Sequence, residues 1–250
     1  MNGELMNLLN LTLAAKQYLR TGEIRESLVV SEWIEGYDFN FAERTSEKEL
    51  PAARVETVEG WLKELKDRGA TDVKLMADDH VEDESVLLSL NGTPCCLICF
   101  YDDGVTVWNK RYFYNLVSKK CHAGMTERVL PAPPQDKPSF KDVSQDMAAL
   151  LERLRVLAQK LELSQFAFRF HAAQKKLQAN FVEADGAMRP VHRRLLAAAA
   201  EAYVFDGEEP WTAVGREAAE KKGLLEPYES LTKDLYRGIV LSCLYAANEW

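Results

Sequence analysis

The stretch PCCLICFYDDGVTVWNKRYFY, residues 94–114, predicts two β-strands joined by a tight turn at DDG (102–104). Its β-branched and aromatic residues are typical of strands, and the Asp-Gly step is typical of a hairpin. Two further strand candidates precede it, TDVKLMA (71–77) and SVLLSL (85–90), and NG (91–92) is a second hairpin signal. Connections this short cannot cross over a sheet, so we expect an antiparallel β-meander.

Helices are predicted on the amino-terminal side of these strands. Residues 4–20 have a helical pattern, and an amphipathic helix is predicted from Val55 to Arg68, closed by Gly69 as its C-cap. The segment between them, residues 22–45, mixes β-branched and aromatic residues with glycines and has room for a strand or two. Together these elements predict an α+β lobe in which an antiparallel β-meander packs on a helix.

Prolines separate this lobe from the rest of the chain. Residues 129–140 carry four of the nine prolines. Because proline fixes φ and donates no amide hydrogen bond, this segment is predicted to run extended as a linker. We therefore divide the chain into an acidic α+β lobe over residues 1–128, a proline-rich linker over 129–140 and a helical bundle lobe over 141–250.

The carboxy-terminal part has four runs of apolar residues at helical spacing, and Ser139 with Asp142 has the spacing of a capping box before the first of them. The runs are Val143, Met147, Leu150, Leu154, Leu157 and Leu161; Phe166, Phe170, Ala173, Leu177 and Phe181; residues 195–203 after Pro190; and Leu224, Tyr228, Leu231, Leu235 and Ile239. Such stripes need partners, so a helical bundle is predicted. The phenylalanines at 166, 168 and 170 also alternate with a period of two, which leaves a short strand there as an alternative.

The acidity of the chain is concentrated in its first part. The net charge is −8, with 16 basic against 23 acidic residues before Ser139 and 15 against 16 from there on. A negative field repels the phosphate backbone of nucleic acids and attracts basic proteins, so we expect no DNA binding and a basic protein partner. Solubility alone is the other explanation for such a charge.

Several features predict a cytoplasmic protein. No apolar run reaches the roughly 18 residues of a membrane-spanning helix. No basic segment precedes the apolar stretch near residue 1, as a signal peptide would require. The five cysteines are an odd number in a chain too long to need disulfides. We therefore expect free thiols and no membrane contact.

The cysteines raise the question of a metal site or a nucleophile. Cys95, Cys96 and Cys99 lie within five residues, but on a strand Cys96 and Cys99 point to opposite faces, whereas zinc needs ligands that converge. We expect these three to be small buried apolar residues, and we expect no metal and no cofactor. The better candidate for catalysis is Cys121 beside His122, although neighbours in a regular element point apart.

Two further features are candidates for partner binding. The loop ADDHVEDE, residues 77–84, carries five carboxylates and one histidine; it forms the contact with a basic partner unless it is simply a solvated turn. Its candidate residues are Asp78, Asp79, His80, Glu82, Asp83 and Glu84. Trp211 lies in a loop between two helices, where it either anchors a partner or pins the loop onto the bundle.

The catalytic templates are missing from the sequence: it has no phosphate-binding loop, no dinucleotide fingerprint, no zinc-protease motif and no nucleophile elbow. The sequence therefore favours a non-enzymatic protein-interaction module, such as an inhibitor, an immunity-type protein or a regulatory partner, that uses the acidic surface of its first lobe. The alternative is a hydrolase or transferase with a site between the lobes that uses Cys121, His122 or the acidic loop. The apolar stripe of the last helix continues toward Trp250, which adds a homodimer through the helical lobe as a prediction.

Overall fold

The computed structural model describes residues 3–29, 31, 33–44, 50, 52–77, 95–130, 139–179 and 189–249. These residues form two compact units. The sheet unit comprises the described residues up to 130, and the helical unit comprises residues 139–249. The class is α+β, as the sequence predicts. Whether each unit folds on its own, as the predicted division into lobes implies, stays a prediction.

In the described part of the sheet unit, six strands form one mixed sheet. They are β1 (Ile34–Phe41), β2 (Ala53–Val55), β3 (Ala70–Ala77), β4 (Cys95–Tyr101), β5 (Gly104–Asn115) and β6 (Lys120–Val129). Their order across the sheet is β2-β1-β6-β5-β4-β3. From β3 to β6 each strand lies antiparallel to the next, so the predicted antiparallel β-meander is confirmed, with β6 as a strand that was not predicted.

The meander differs from the prediction in one neighbour. β3 pairs directly with β4, with Leu75 opposite Leu97. β3 is therefore the neighbour of β4, whereas the strand candidate at 85–90 was expected to lie beside β4. Residues 85–90 and the hairpin signal at 91–92 lie outside the described residues.

The sheet also holds a parallel pair that the sequence analysis did not predict. β1 runs parallel to β6, with Phe39 opposite Met125, and antiparallel to β2, with Phe39 opposite Val55. A parallel pair requires a long connection rather than a tight turn, so no local signal in the sequence marks it. Because β5 pairs with the other edge of β6, β6 has a hydrogen-bonded strand on each side.

Helix α3 packs on one face of this sheet, which we call the inner face. Here α1 is Gly3–Thr21, α2 is Glu26–Val29 and α3 is Val58–Asp67. The α3 helix begins later than predicted because Thr57 is its N-cap: the Thr57 side chain accepts a hydrogen bond from the Gly60 amide at 3.0 Å. Gly69 follows the helix at a φ of +81°, as expected for a glycine stop.

Aromatic rings form the centre of the sheet unit's core. Trp61 of α3 stacks on Phe39 of β1 with ring centroids 5.0 Å apart, and it meets the Trp108 ring edge-on at 5.9 Å. α1 is joined to the same face by Asn7, which accepts a hydrogen bond from the Tyr37 hydroxyl at 2.6 Å and donates one to the Tyr112 oxygen at 3.2 Å. The inner face is thus covered by α1 and α3.

Four helices form a closed bundle in the described part of the helical unit. The helices of this unit are α4 (Ser144–Lys160), α5 (Ser164–Gln178), α6 (Pro190–Ala202), α7 (Arg216–Lys222) and α8 (Leu225–Asn248). α4 packs on α5, α5 on α6, α6 on α8 and α8 on α4, as predicted for a bundle. A π-helical turn, Trp211–Gly215, leads into the short α7.

The start of α4 differs from the predicted capping box. The helix begins at Ser144, and Asp142 lies just before it. The Asp142 carboxylate accepts hydrogen bonds from the Ser144 amide at 2.8 Å and from the Ser144 hydroxyl at 2.6 Å. The prediction that Ser139 caps this helix is wrong, because the helix starts five residues after it.

The alternative of a strand at the phenylalanines is also wrong. Residues 164–178 are helical, with Phe166 and Phe170 buried one turn apart and Phe168 72% exposed on the other side. Gly223 takes a φ of +66° and ends α7 as its C-cap. Within the described residues, no helix combines the length and the apolar character needed to cross a membrane.

Candidate interaction surface

The cysteines of β4 alternate between the two faces of the sheet, as predicted. Cys95 and Cys99 are buried on the inner face, and Cys96 lies half-buried on the outer face. Burial raises the pKa of the Cys99 thiol well above its usual value, which makes it a poor thiolate at neutral pH. Among the described residues, no group of three or more His, Cys, Asp or Glu side chains could hold a metal ion.

The structure does not bring Cys121 and His122 together. They are consecutive residues of β6, so Cys121 is buried on the inner face while His122 projects from the outer face. Burial raises the pKa of the Cys121 thiol. The His122 ring instead contacts β1, with Nε2 2.9 Å from the Asp38 carboxylate. The catalytic role of this pair stays a prediction that the geometry does not favour.

Of the two features predicted to bind a partner, the structure describes only Trp211. The acidic loop, Asp78, Asp79, His80, Glu82, Asp83 and Glu84, lies outside the described residues, so its role stays a prediction. Trp211 is fully buried, and its indole N–H donates to the Thr232 hydroxyl at 2.8 Å. That position fits the alternative in which Trp211 pins its segment onto the bundle rather than anchoring a partner.

Exposed apolar side chains cluster at the end of the β5–β6 hairpin. Phe113 and Tyr114 are each more than half exposed, Leu116 is 83% exposed and Val117 is 93% exposed. Few other large apolar side chains of the described residues are exposed, and those few are scattered over other elements. We call residues 111–120 the hairpin tip. Large apolar side chains that are exposed together at one turn are typical of interaction sites.

The hairpin tip has a defined backbone conformation. Asn115 closes the turn: its side-chain oxygen accepts from the Val117 amide at 2.9 Å, and its carbonyl accepts from the Lys119 amide at 2.9 Å. Lys119 takes a φ of +56°, the left-handed conformation that tight turns require. The Asn115 amide also donates to the Glu35 carboxylate at 3.0 Å, which joins the turn to β1. The apolar side chains are therefore presented by an ordered turn.

Basic side chains surround the apolar residues of the hairpin tip. Arg111, Lys119 and Lys120 are all exposed, although the chain as a whole has a net charge of −8. Glu35 lies beside this turn, and hydrogen bonds from Ser118 and Asn115 lower the pKa of its carboxyl. The hairpin tip is thus an apolar and basic region on an acidic protein. The hairpin tip was not among the predicted sites, although the run FYNLV (113–117) breaks the usual pattern of polar turns.

On the outer face beside the hairpin tip, Asp38 links two strands. It accepts hydrogen bonds from Arg54, with Nε at 3.0 Å, and contacts the His122 ring at 2.9 Å. These contacts, chiefly the one with Arg54, lower the pKa of the Asp38 carboxyl. The His122 ring lies over Gly36, where an added Cβ would be only 2.9 Å from Nδ1.

Replacing Gly36 with alanine is expected to displace the His122 ring and raise the pKa of the Asp38 carboxyl. The pKa should stay below its ordinary value because Arg54 remains in place. The stability loss should be small, about 1 kcal/mol, since the ring is partly exposed and can move. Titration by NMR measures the pKa. Gly124→Ala is the matched control, because its Cβ would make an ordinary 3.6 Å contact with the Phe113 ring; equal effects of the two changes would contradict this account.

His192 of α6 is a buried histidine in the helical unit. Its ring meets the Tyr245 ring edge-on at 5.0 Å, and its Nδ1 has no hydrogen-bond partner among the described residues. Burial, helped by Arg189 and opposed by Asp142 and Glu249, lowers its pKa below the ordinary value. His192 is therefore neutral in the folded protein at neutral pH.

Acidification is expected to destabilise the fold through His192. The unfolded chain takes up a proton as pH falls through about 6.5, while the folded protein accepts it only at lower pH, so the free energy of unfolding falls over this window. Above the window this contribution is fully present. Urea unfolding between about pH 5 and pH 8 measures the slope, and His192→Phe, which keeps a packed ring, should reduce it. An unchanged slope in that variant would show that other groups cause the dependence.

Comparison with known proteins gives no match for this chain: no protein-family model matches it, and no curated protein or solved structure matches it significantly.

Proposed function

We propose that this protein is a non-enzymatic interaction module that binds another protein with its hairpin tip. The observation that carries the proposal is the near-complete exposure of Leu116 and Val117 on an ordered turn. Keeping such side chains in water forgoes roughly 1.5–3 kcal/mol each relative to full burial. A partner that covers them recovers this free energy, and residues of this kind form the centre of many interfaces.

The charge of the hairpin tip indicates what the partner's surface is like. Lys119 and Lys120 flank the apolar turn and are well placed for the polar rim of an interface. Opposite charges across a rim speed association and exclude wrong partners. We therefore propose an apolar cleft bordered by carboxylates as the complementary surface.

The partner surface proposed for the hairpin tip is acidic, whereas the partner expected for the acidic loop is basic. Residues 78–84 would bind a basic partner, and their role remains a separate proposal for a contact with a different protein. The homodimer through the helical unit likewise stays a prediction. The hydrolase or transferase alternative has no comparable support, since the thiol of Cys121 is buried and the His122 ring lies on the other face.

Site-specific photocrosslinking tests the proposal. A photoreactive phenylalanine analogue at Val117 should form one main adduct in the cells that make the protein, whereas the same group at the exposed Phe168 should not form that adduct. Lys119→Glu with Lys120→Glu should abolish the adduct from position 117, because the rim charge is reversed. An adduct that is unchanged by this reversal, or that forms equally from position 168, would contradict the proposal.

Two experiments with the purified protein test whether the hairpin tip binds something other than a partner protein. Flotation with vesicles that contain anionic lipid tests a membrane surface, and sedimentation over a range of concentrations tests a second copy of the chain. We expect neither vesicle binding nor self-association to depend on Leu116 or Val117. Vesicle binding that Val117→Asp removes would replace the protein partner with a lipid surface.

A further inference from the structure

A cleft in the helical unit that is partly open to solvent, which we call the cavity, has the size of a small-molecule site. It has a volume of about 630 Å³ and lies between residues 205–216 and the first half of α8. Cavities that bind small molecules are typically in the range of about 300–1,000 Å³. The hairpin tip belongs to the other unit, so this feature is independent of the proposed function.

The wall of this cavity is held in a fixed shape. The Tyr228 hydroxyl donates to the Trp211 carbonyl at 2.8 Å, and the Trp211 indole donates to Thr232 at 2.8 Å. Gly215 lies so close that an added Cβ would be 2.7 Å from the Tyr228 ring. These contacts shape the π-helical turn 211–215, and such turns are frequent at functional sites. A preformed wall lowers the cost of ordering on ligand binding.

The lining combines aromatic rings with hydroxyl groups. Phe205 and Tyr236 both line the cavity and meet edge-on, with ring centroids 5.8 Å apart. Thr212 of the π-helical turn and Ser230 of α8 add hydroxyl-bearing side chains to the lining. Rings provide apolar contact for a flat ligand, and hydroxyl groups can donate to or accept from its polar atoms.

The charged residues of the lining balance one another. Arg216 and Lys233 are opposed by Glu226 and Glu229. Arg216 is already paired, at 3.1 Å with Glu229 and at 3.2 Å with Glu220. An anionic group such as phosphate would have to compete with these carboxylates, so the lining favours a ligand without net charge.

We infer that this cavity binds a neutral, ring-containing small molecule. The ring of the ligand packs against Phe205 and Tyr236, and its polar atoms form hydrogen bonds with Thr212 and Ser230. A ligand there bridges the segment before the π-helical turn and α8, so it also stabilises the helical unit by mass action.

Ligand-observed NMR with the purified full chain tests this inference. The probes are a panel of neutral aromatic and heterocyclic compounds that includes indole, nicotinamide, adenosine and uridine, with the two nucleoside monophosphates as charged counterparts. We expect at least one neutral probe to bind with a Kd below about 1 mM, and the monophosphates to bind no more tightly than their nucleosides.

A pair of variants decides where the probe binds. Ser230→Trp fills the cavity from the surface of α8 and should weaken binding at least tenfold, while unfolding curves check that the fold is kept. Ser164→Trp, which alters a separate groove between α4 and α5, should leave the Kd unchanged. The inference is overturned if no neutral probe binds, if the folded Ser230→Trp protein binds as tightly as the parent, or if the monophosphates bind at least tenfold more tightly than the nucleosides.

Discussion

Replacing Trp211 with alanine is expected to lower the free energy of unfolding by about 3–5 kcal/mol. The indole is fully buried in the helical unit and packs against three rings, with centroids 5.1 Å from Phe166, 5.5 Å from Phe170 and 5.2 Å from Tyr228. The change leaves a large cavity and removes the hydrogen bond to Thr232. Urea unfolding followed by circular dichroism measures the loss.

Trp211→Phe is the matched variant for this prediction. It keeps much of the ring packing but removes the indole N–H, so we expect a smaller loss, about 1–2 kcal/mol. If Trp211 were a partner anchor instead, its alanine variant would keep full stability and lose only binding. A stability change below about 0.5 kcal/mol would therefore contradict the packing account.

The second large effect is expected for Glu127→Ala in the sheet unit. Glu127 is a buried carboxylate on β6 that accepts hydrogen bonds from the Tyr101 hydroxyl at 3.0 Å, the Thr106 hydroxyl at 2.7 Å and the Ala42 amide at 3.1 Å. Removing it leaves three donors unpaired inside the protein. Hydrogen bonds to a charged group are worth about 1.5–3 kcal/mol each, so even with partial entry of water we expect a loss of about 3–5 kcal/mol.

The Glu127→Gln variant distinguishes the hydrogen bonds from Tyr101 and Thr106 from the one that the Ala42 amide donates. The side-chain oxygen of glutamine can still accept from Tyr101 and Thr106, but its amide group then faces the Ala42 N–H, donor against donor. We expect an intermediate loss of about 1–2 kcal/mol. If both variants were as stable as the parent protein, the carboxylate would not be a structural acceptor.

Local patterns in the sequence predicted a large part of the fold. The apolar run of residues 95–101, which ends at the DDG turn, identifies β4. The apolar spacing in the carboxy-terminal helices reflects burial on one face, so it identifies the bundle. The β6 strand was missed because its inner-face residues include Cys121, Ala123 and Glu127, which are not typical strand formers. Its parallel partner β1 lies more than 80 residues earlier, where no turn signal connects them.

The candidate surface was less predictable than the fold for a different reason. Exposure is a property of the folded chain, and Leu116 or Val117 could equally have belonged to a buried strand. Their position between two strands that end at Asn115 and begin again at Lys120 is what leaves them in solvent. The alternation rule did anticipate that Cys121 and His122 point apart.

The most direct test of the claim that the hairpin tip binds a partner is an affinity measurement. The crosslinked partner is titrated against three versions of the purified protein. The versions are the parent, Leu116→Ser with Val117→Ser, and a loop variant with Asp78, Asp79, Glu82, Asp83 and Glu84 replaced by their amides. We predict that the hairpin-tip variant loses at least tenfold in affinity with an unchanged unfolding curve, while the loop variant binds as the parent does. Full affinity in the hairpin-tip variant together with a loss in the loop variant would contradict the account and place the contact on the acidic loop.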